Sequence, residues 1–153
     1  MKRLMTACLA LALVQTAAAA PPPKGPGVGV VLGDPTGGTF RLFLTGNRSL
    51  DLGVGYSGDA TLWADHAWHS WDVFPQPRSG QVEGWVSAGV RLETADDAQF
   101  AVRTLLGASY WLPGNPVELF ATAGPVFKMT PEGGVGADGG VGVRFYFGGL
   151  DGQ

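Results

Sequence analysis

Asp65, His66 and His69 are the residues whose types most directly invite chemistry. Imidazole and carboxylate groups ligate metals and carry protons. They lie in Ala64-Asp65-His66-Ala67-Trp68-His69, which alternates as a strand does. On a strand His66 and His69 face opposite sides and cannot clasp one ion. Asp65 and His69 share a face but stand about 13 Å apart at the rise of a strand. No metal site and no cofactor are therefore expected. Hydrolysis would need a hydroxyl or other nucleophile beside a base. Ser57 ends its own segment, and neither His66 nor His69 is placed clearly beside it. Gly27-Val28-Gly29 is no phosphate cradle, because it lacks the third glycine at its spacing and no helix follows.

A second chemistry is written in the charges. Arg41, Asp51, Asp65, Glu83, Arg91, Arg103, Glu118 and Arg144 fall on one phase of a two-residue alternation, opposite the apolar residues. In Gly140-Val141-Gly142-Val143-Arg144-Phe145-Tyr146-Phe147, valine and phenylalanine hold one phase. Glycine, Arg144 and Tyr146 hold the other. Eight such segments predict strands over 27–33, 38–45, 49–57, 60–71, 82–92, 99–112, 117–128 and 140–147. Turn residues such as Asp34-Pro35-Thr36-Gly37 and Pro113-Gly114-Asn115-Pro116 separate them. Short links join antiparallel neighbours, and closing the sheet removes its two edges. The expected fold is all-β, an eight-stranded antiparallel up-and-down transmembrane β-barrel over 27–147 with a polar, plugged lumen. Two residues fit this frame poorly. His66 falls on the apolar phase, which suggests a phase slip in segment 60–71. Pro125 lacks an N–H, which predicts a bulge or a strand end there.

Alternation alone does not say which face meets water. Eight strands enclose just enough room for side chains. Gly29, Gly53, Gly55, Gly107, Gly124, Gly140 and Gly142 lie on the charged phase, where they would make space inside a narrow lumen. The opposite phase carries too many large apolar groups for that interior. An arginine aimed at hydrocarbon costs about 2–4 kcal/mol near the midplane, so Arg41, Arg91, Arg103 and Arg144 must point inward. There Asp51, Asp65, Glu83 and Glu118 can pair with them, and removing a lumen arginine is expected to disrupt folding. Tyr56, Phe40, Phe100 and Phe127 fall near one end of the layout. Trp68, Tyr110 and Phe147 fall near the other, as two aromatic belts would.

The ends and the composition agree with export. Lys2 and Arg3, an apolar run from Leu4 to Val14 and the small residues Ala17 to Ala20 predict a signal peptide over 1–20. A proline-rich lead spans 21–26, and 148–153 form a tail. Cys8 is the sole cysteine and lies in the expected signal, so the mature chain would hold no disulfide or cysteine-ligated metal. Without Lys2 and Arg3 the ten basic residues become eight against 13 acidic, a net charge of −5. No basic stripe is present, which argues against nucleic acid as a partner. About 133 mature residues make one domain.

The span 27–147, ending Arg144-Phe145-Tyr146-Phe147, resembles the small eight-stranded outer-membrane barrels of Gram-negative bacteria, the OmpA and OmpX type. Gly29 to Gly37 and Ala64 to His69 also look like an uncharacterised subgroup of small outer-membrane barrels. The resemblance implies an outer-membrane location and, through the terminal aromatic, recognition by the barrel-assembly machinery. The chain departs from the pattern by continuing beyond Phe147 to Gln153.

Three functions follow as expectations. The first is a non-enzymatic outer-membrane barrel with a structural or envelope-integrity role and no open pore. The second is a lipid-modifying enzyme in the same fold, marked by a Ser–His pair at a rim. The third is a soluble, lipocalin-like binding barrel, marked by an apolar cavity. With both termini periplasmic, the outer links hold Asp34, Asp59, Glu93, Asp96, Asp97 and Glu132 and no basic residue. This acidic rim is expected to meet anionic lipopolysaccharide through divalent cations. The links are too short for a large adhesin loop.

Overall fold

The computed structural model describes residues 25–148. The expected signal peptide, most of the proline-rich lead and the tail after Gly148 lie outside the described residues. The alternating segments become β1 (Pro26–Asp34), β2 (Thr36–Thr45), β3 (Arg48–Tyr56), β4 (Ala60–Ser70), β5 (Gln81–Glu93), β6 (Gln99–Trp111), β7 (Val117–Thr130) and β8 (Gly134–Tyr146). Each pairs antiparallel with its neighbour, and β1 closes on β8 through partners from Gly27↔Tyr146 to Asp34↔Gly139. No strand edge is left open. The chain enters at Pro26 and leaves at Tyr146 on one end of the barrel, here the near end. The connections 35, 57–59, 94–98 and 131–133 cap the far end.

The apolar phase faces outward and the charged phase inward. Val30 is 52% exposed and Leu106 69%, whereas Arg41, Glu83 and Glu118 are fully buried. The lumen is filled rather than hollow. Its largest side chains lie flat over glycines of the neighbouring strand, where any Cβ would strike a ring: Trp63 over Gly53, Trp85 over Gly107, Phe120 over Gly142 and Tyr146 over Gly27. The lumen glycines are thus the reason eight strands can hold this many aromatics.

Several expectations change. β8 starts at Gly134, not Gly140, and shortens the β7–β8 connection to 131–133. The glycines from Gly133 to Gly140 carry too few side chains to show alternation. No phase slip occurs at His66, since the registers of β4 with β3 and with β5 are continuous. His66 stands on the exterior, edge-on to Trp68 with ring centroids 4.7 Å apart. Pro125 neither ends nor bulges β7. On the β6 side the paired positions resume from Leu106↔Ala123 to Arg103↔Val126 in one register, and the irregularity falls between Phe100 and Ala101. Phe40 sits in the middle of β2, paired with Val28 and Leu52, and belongs to no belt.

Candidate functional site in the barrel lumen

Alternation on eight strands aims one polar side chain in two at a shared axis, so residues far apart in sequence meet there. They form two clusters. Nearer the chain ends, Arg41 on β2 makes a bidentate pair with Asp51 on β3, with Nε donating to Oδ1 at 2.7 Å. Its Nη1 donates to Glu118 Oε1 at 2.9 Å. Glu118 on β7 also accepts from Ser109 at 2.6 Å, Tyr146 at 2.6 Å and Arg144 at 3.2 Å. One carboxylate therefore holds two guanidiniums and two hydroxyls. Each guanidinium also stacks on a ring, Arg41 over Trp85 at 4.7 Å and Arg144 over Phe120 at 3.8 Å.

Toward the far end, Arg103 on β6 makes a bidentate pair with Asp65 on β4 and donates to Asp138 on β8 at 2.7 Å. Arg91 on β5 pairs with Asp138 and with Glu93. Asp34 stands 3.6 Å from Arg91 and accepts the hydroxyl of Ser57. Beside the clusters lies a cavity of about 40 Å³, walled by Trp63, Trp85, Leu105 and Phe120, edged by Asp51 and Asp65 and reaching Asp34 and Pro35 at the far mouth. This is room for water, not for an organic substrate.

All eight residues expected in the lumen network are there, and each of the four arginines has a carboxylate partner. Glu83 pairs with His69 rather than with an arginine. The acidic rim separates. Asp59, Asp96, Asp97 and Glu132 are exposed in far-end connections. Glu93 belongs instead to β5, and its side chain is 17% exposed and pairs with Arg91, so it joins the lumen network. Asp34 lies in β1 and reaches toward the same arginine. Among the described residues no cluster of three or more metal-ligating side chains forms.

Asp138, which Arg91 and Arg103 share, was not among the expected lumen residues, because its strand was expected to begin at Gly140. Its phase was legible, two residues before Gly140 and four before Gly142. His69, expected on the inward face and in no metal site, is held in the lumen by a hydroxyl and a carboxylate. Its Nε2 lies 2.9 Å from Ser49 Oγ and its Nδ1 3.0 Å from Glu83 Oε2. Hydroxyl, imidazole and carboxylate here stand in the order of a catalytic triad. Ser49, however, donates its single hydroxyl proton to Asp51 Oδ1 at 2.9 Å. The hydroxyl thus has a carboxylate as well as an imidazole within reach, unlike a nucleophile whose proton can go to the base alone. Phe43 covers the imidazole at 4.8 Å, and both His69 and Glu83 side chains are wholly buried. Trp111 Nε1 donates to the remaining Glu83 oxygen at 3.2 Å. The arrangement satisfies buried polar groups and leaves no face of Ser49 free for a substrate.

No protein-family model matches the chain, and no curated protein matches it. The crystal structure of the N-terminal β-barrel domain of Pseudomonas aeruginosa OprF matches with a TM-score of 0.54 and 16% identity, over 80% of this chain and 95% of that one. The chain shares the fold of that domain, a closed eight-stranded antiparallel β-barrel.

Proposed function

We propose that this chain is an outer-membrane β-barrel protein that strengthens the envelope as a filled, non-conducting and non-enzymatic body. The observation that carries the reading is the inverted distribution of polarity. Val135 is 74% and Val141 58% exposed on the outside, while Arg41 and Glu118 are sealed inside. A monomer in water rarely shows so continuous an apolar surface, and a soluble binding barrel has the opposite arrangement. The likeness to an outer-membrane barrel domain supports the location. Export by the segment 1–20 belongs to the same proposal. So does recognition of Phe147 by the barrel-assembly machinery. Phe147 is 65% exposed just beyond β8, and its N–H donates to Pro26 O at 3.1 Å. The enclosed Ser49–His69–Glu83 group and the packed lumen support a role without catalysis or transport. The expected result is recovery in the outer-membrane fraction with a heat-modifiable gel mobility, and no discrete conductance in planar lipid bilayers. A soluble, unshifted protein would overturn the location, and stable unitary currents would overturn the plugged lumen.

The exposed Asp59, Asp96, Asp97 and Glu132 support a further part of the proposal, contact with lipopolysaccharide through divalent cations at the far end. Carboxylates and lipid phosphates repel unless a cation stands between them. Association of the folded barrel with lipopolysaccharide is expected to fall sharply when a chelator is added. Chelator-insensitive association would count against it.

A further inference from the structure

The connection 71–80 between β4 and β5 is the longest among the described residues, and it does not simply bridge two strands. Trp71 holds it at the near mouth, with Nε1 donating to Gly46 O at 3.1 Å. The chain then turns outward. Val73 and Phe74 rest on Gly84 of β5, where a Cβ would lie 2.6 Å from Val73 Cγ1 and 3.1 Å from the Phe74 ring. Gly84 alternates with Val82 and Val86, so this contact is on the barrel's exterior. Gln76 secures the fold-back. Val82 has lost its β4 neighbour because that strand ends at Ser70. The Gln76 amide takes the vacant place, accepting from Val82 N at 3.0 Å and donating to Val82 O at 2.7 Å. At the end of the loop Tyr110 Oη donates to Ser79 O at 3.3 Å.

The result is an apolar shelf, with Val73 56% and Phe74 40% exposed. Beside it, an exterior groove of about 540 Å³ crosses the strands from β5 through β8 to β1, lined by Val82, Ala108, Tyr110, Leu119, Ala121 and Val143 and ending at Val30 and Leu32. Tyr110 joins the two, since it lines the groove and holds the carbonyl of Ser79. Arg78 precedes that residue and is exposed. Arg48, also exposed, lies directly across from Trp68 on the exterior face of β3 and β4. The far-end connections carry only carboxylates. The near rim thus sets Arg48 and Arg78, with the single carboxylate Asp72, at the edge of an apolar surface, a net positive charge that complements a lipid phosphate above an acyl chain.

We propose that loop 71–80 and the exterior of β5–β7 form a seat for one anionic phospholipid of the leaflet at the near end. An acyl chain lies in the groove against Ala108 and Ala121, and the head-group phosphate meets Arg78. The seat rests on the membrane reading above, so it is tested only on barrel whose folding into lipid a gel shift has already shown. In native mass spectrometry, folded barrel titrated with phosphatidylglycerol is expected to retain one lipid where phosphatidylcholine is not retained. Arg78→Glu should lower that occupancy roughly fivefold or more, the effect of about one basic residue at an anionic surface. Asp97→Lys at the far end should leave it unchanged. Equal retention of the two phospholipids, preferential retention of lipid A, or an unaltered Arg78→Glu variant would overturn the proposal. A second measurement needs no charge reversal. Cys8 is the sole cysteine and lies in the expected signal, so Val73→Cys gives the mature chain one thiol for a fluorophore. Quenching by shallow lipid-borne nitroxide and protection from iodide are expected. Iodide access equal to that of an Asp97→Cys label would show that the shelf stays in water.

Discussion

Replacing Glu118 with alanine is expected to lower the unfolding free energy of the vesicle-embedded barrel by about 3–5 kcal/mol. Urea titration followed by gel shift would measure it. The size follows from what the carboxylate holds. Arg41, Arg144, Ser109 and Tyr146 all donate to it, and its side chain is wholly buried. Arg41 keeps Asp51 when Glu118 is gone, but Arg144 is left with the neutral hydroxyl of Thr39 at 3.2 Å and no carboxylate nearer than Asp51 at 3.9 Å. A buried guanidinium without a close counter-ion has lost its water and gained little in exchange. Glu118→Gln keeps the shape and some of the hydrogen bonds, so its cost should be smaller. Asp59→Ala in an exposed far-end turn should change stability by no more than about 0.5 kcal/mol. Equal effects at Glu118 and Asp59 would mean that the network contributes nothing to holding the barrel closed.

Gly107→Val should destabilise the barrel by about 3 kcal/mol, the upper end for overpacking a tight interior. The added side chain falls inside the ring of Trp85, which lies against Gly107. Moving that indole also breaks its 3.1 Å bond to Ser109 and removes the surface under Arg41. Steric cost and loss of the charge network are therefore coupled through one side chain. A second substitution tests this. Trp85→Leu vacates the space, so the double variant should cost at least about 1 kcal/mol less than the sum of the two singles. Gly136→Val is the contrast, because a Cβ there meets only Lys128 Cε at 3.8 Å. It should be nearly silent. Strict additivity of Gly107→Val with Trp85→Leu would show that the ring and the glycine are not packed as a pair.

Both expectations concern a lumen that was only half readable beforehand. Which residues face inward follows from a period of two and needs no tertiary information. Arg41, Asp51, Asp65, Glu83, Arg91, Arg103, Glu118 and Arg144 could be placed on the axis from that rule alone. Who pairs with whom could not, because axial neighbours come from strands whose stagger is set by barrel closure. Glu118 meets Arg41 across 77 positions of chain and Arg103 meets Asp65 across 38. Where side chains are sparse the rule itself weakens, and Asp138 was lost among glycines for that reason. Trp85 and Tyr146 lay on the inward phase in plain view. Their role as packing over Gly107 and Gly27 depends on the facing strand's register.

Sequence alone determined the strand count, the antiparallel order and the outward direction of the apolar face, because each is local or follows from alternation repeated eight times. Tertiary structure alone decided that the interior is packed with rings as well as ion pairs, that Glu93 turns from rim to lumen, and that 71–80 folds back over the exterior at Gly84. Those outcomes depend on stagger between strands and on which surface a loop finds within reach, distances that no single strand contains.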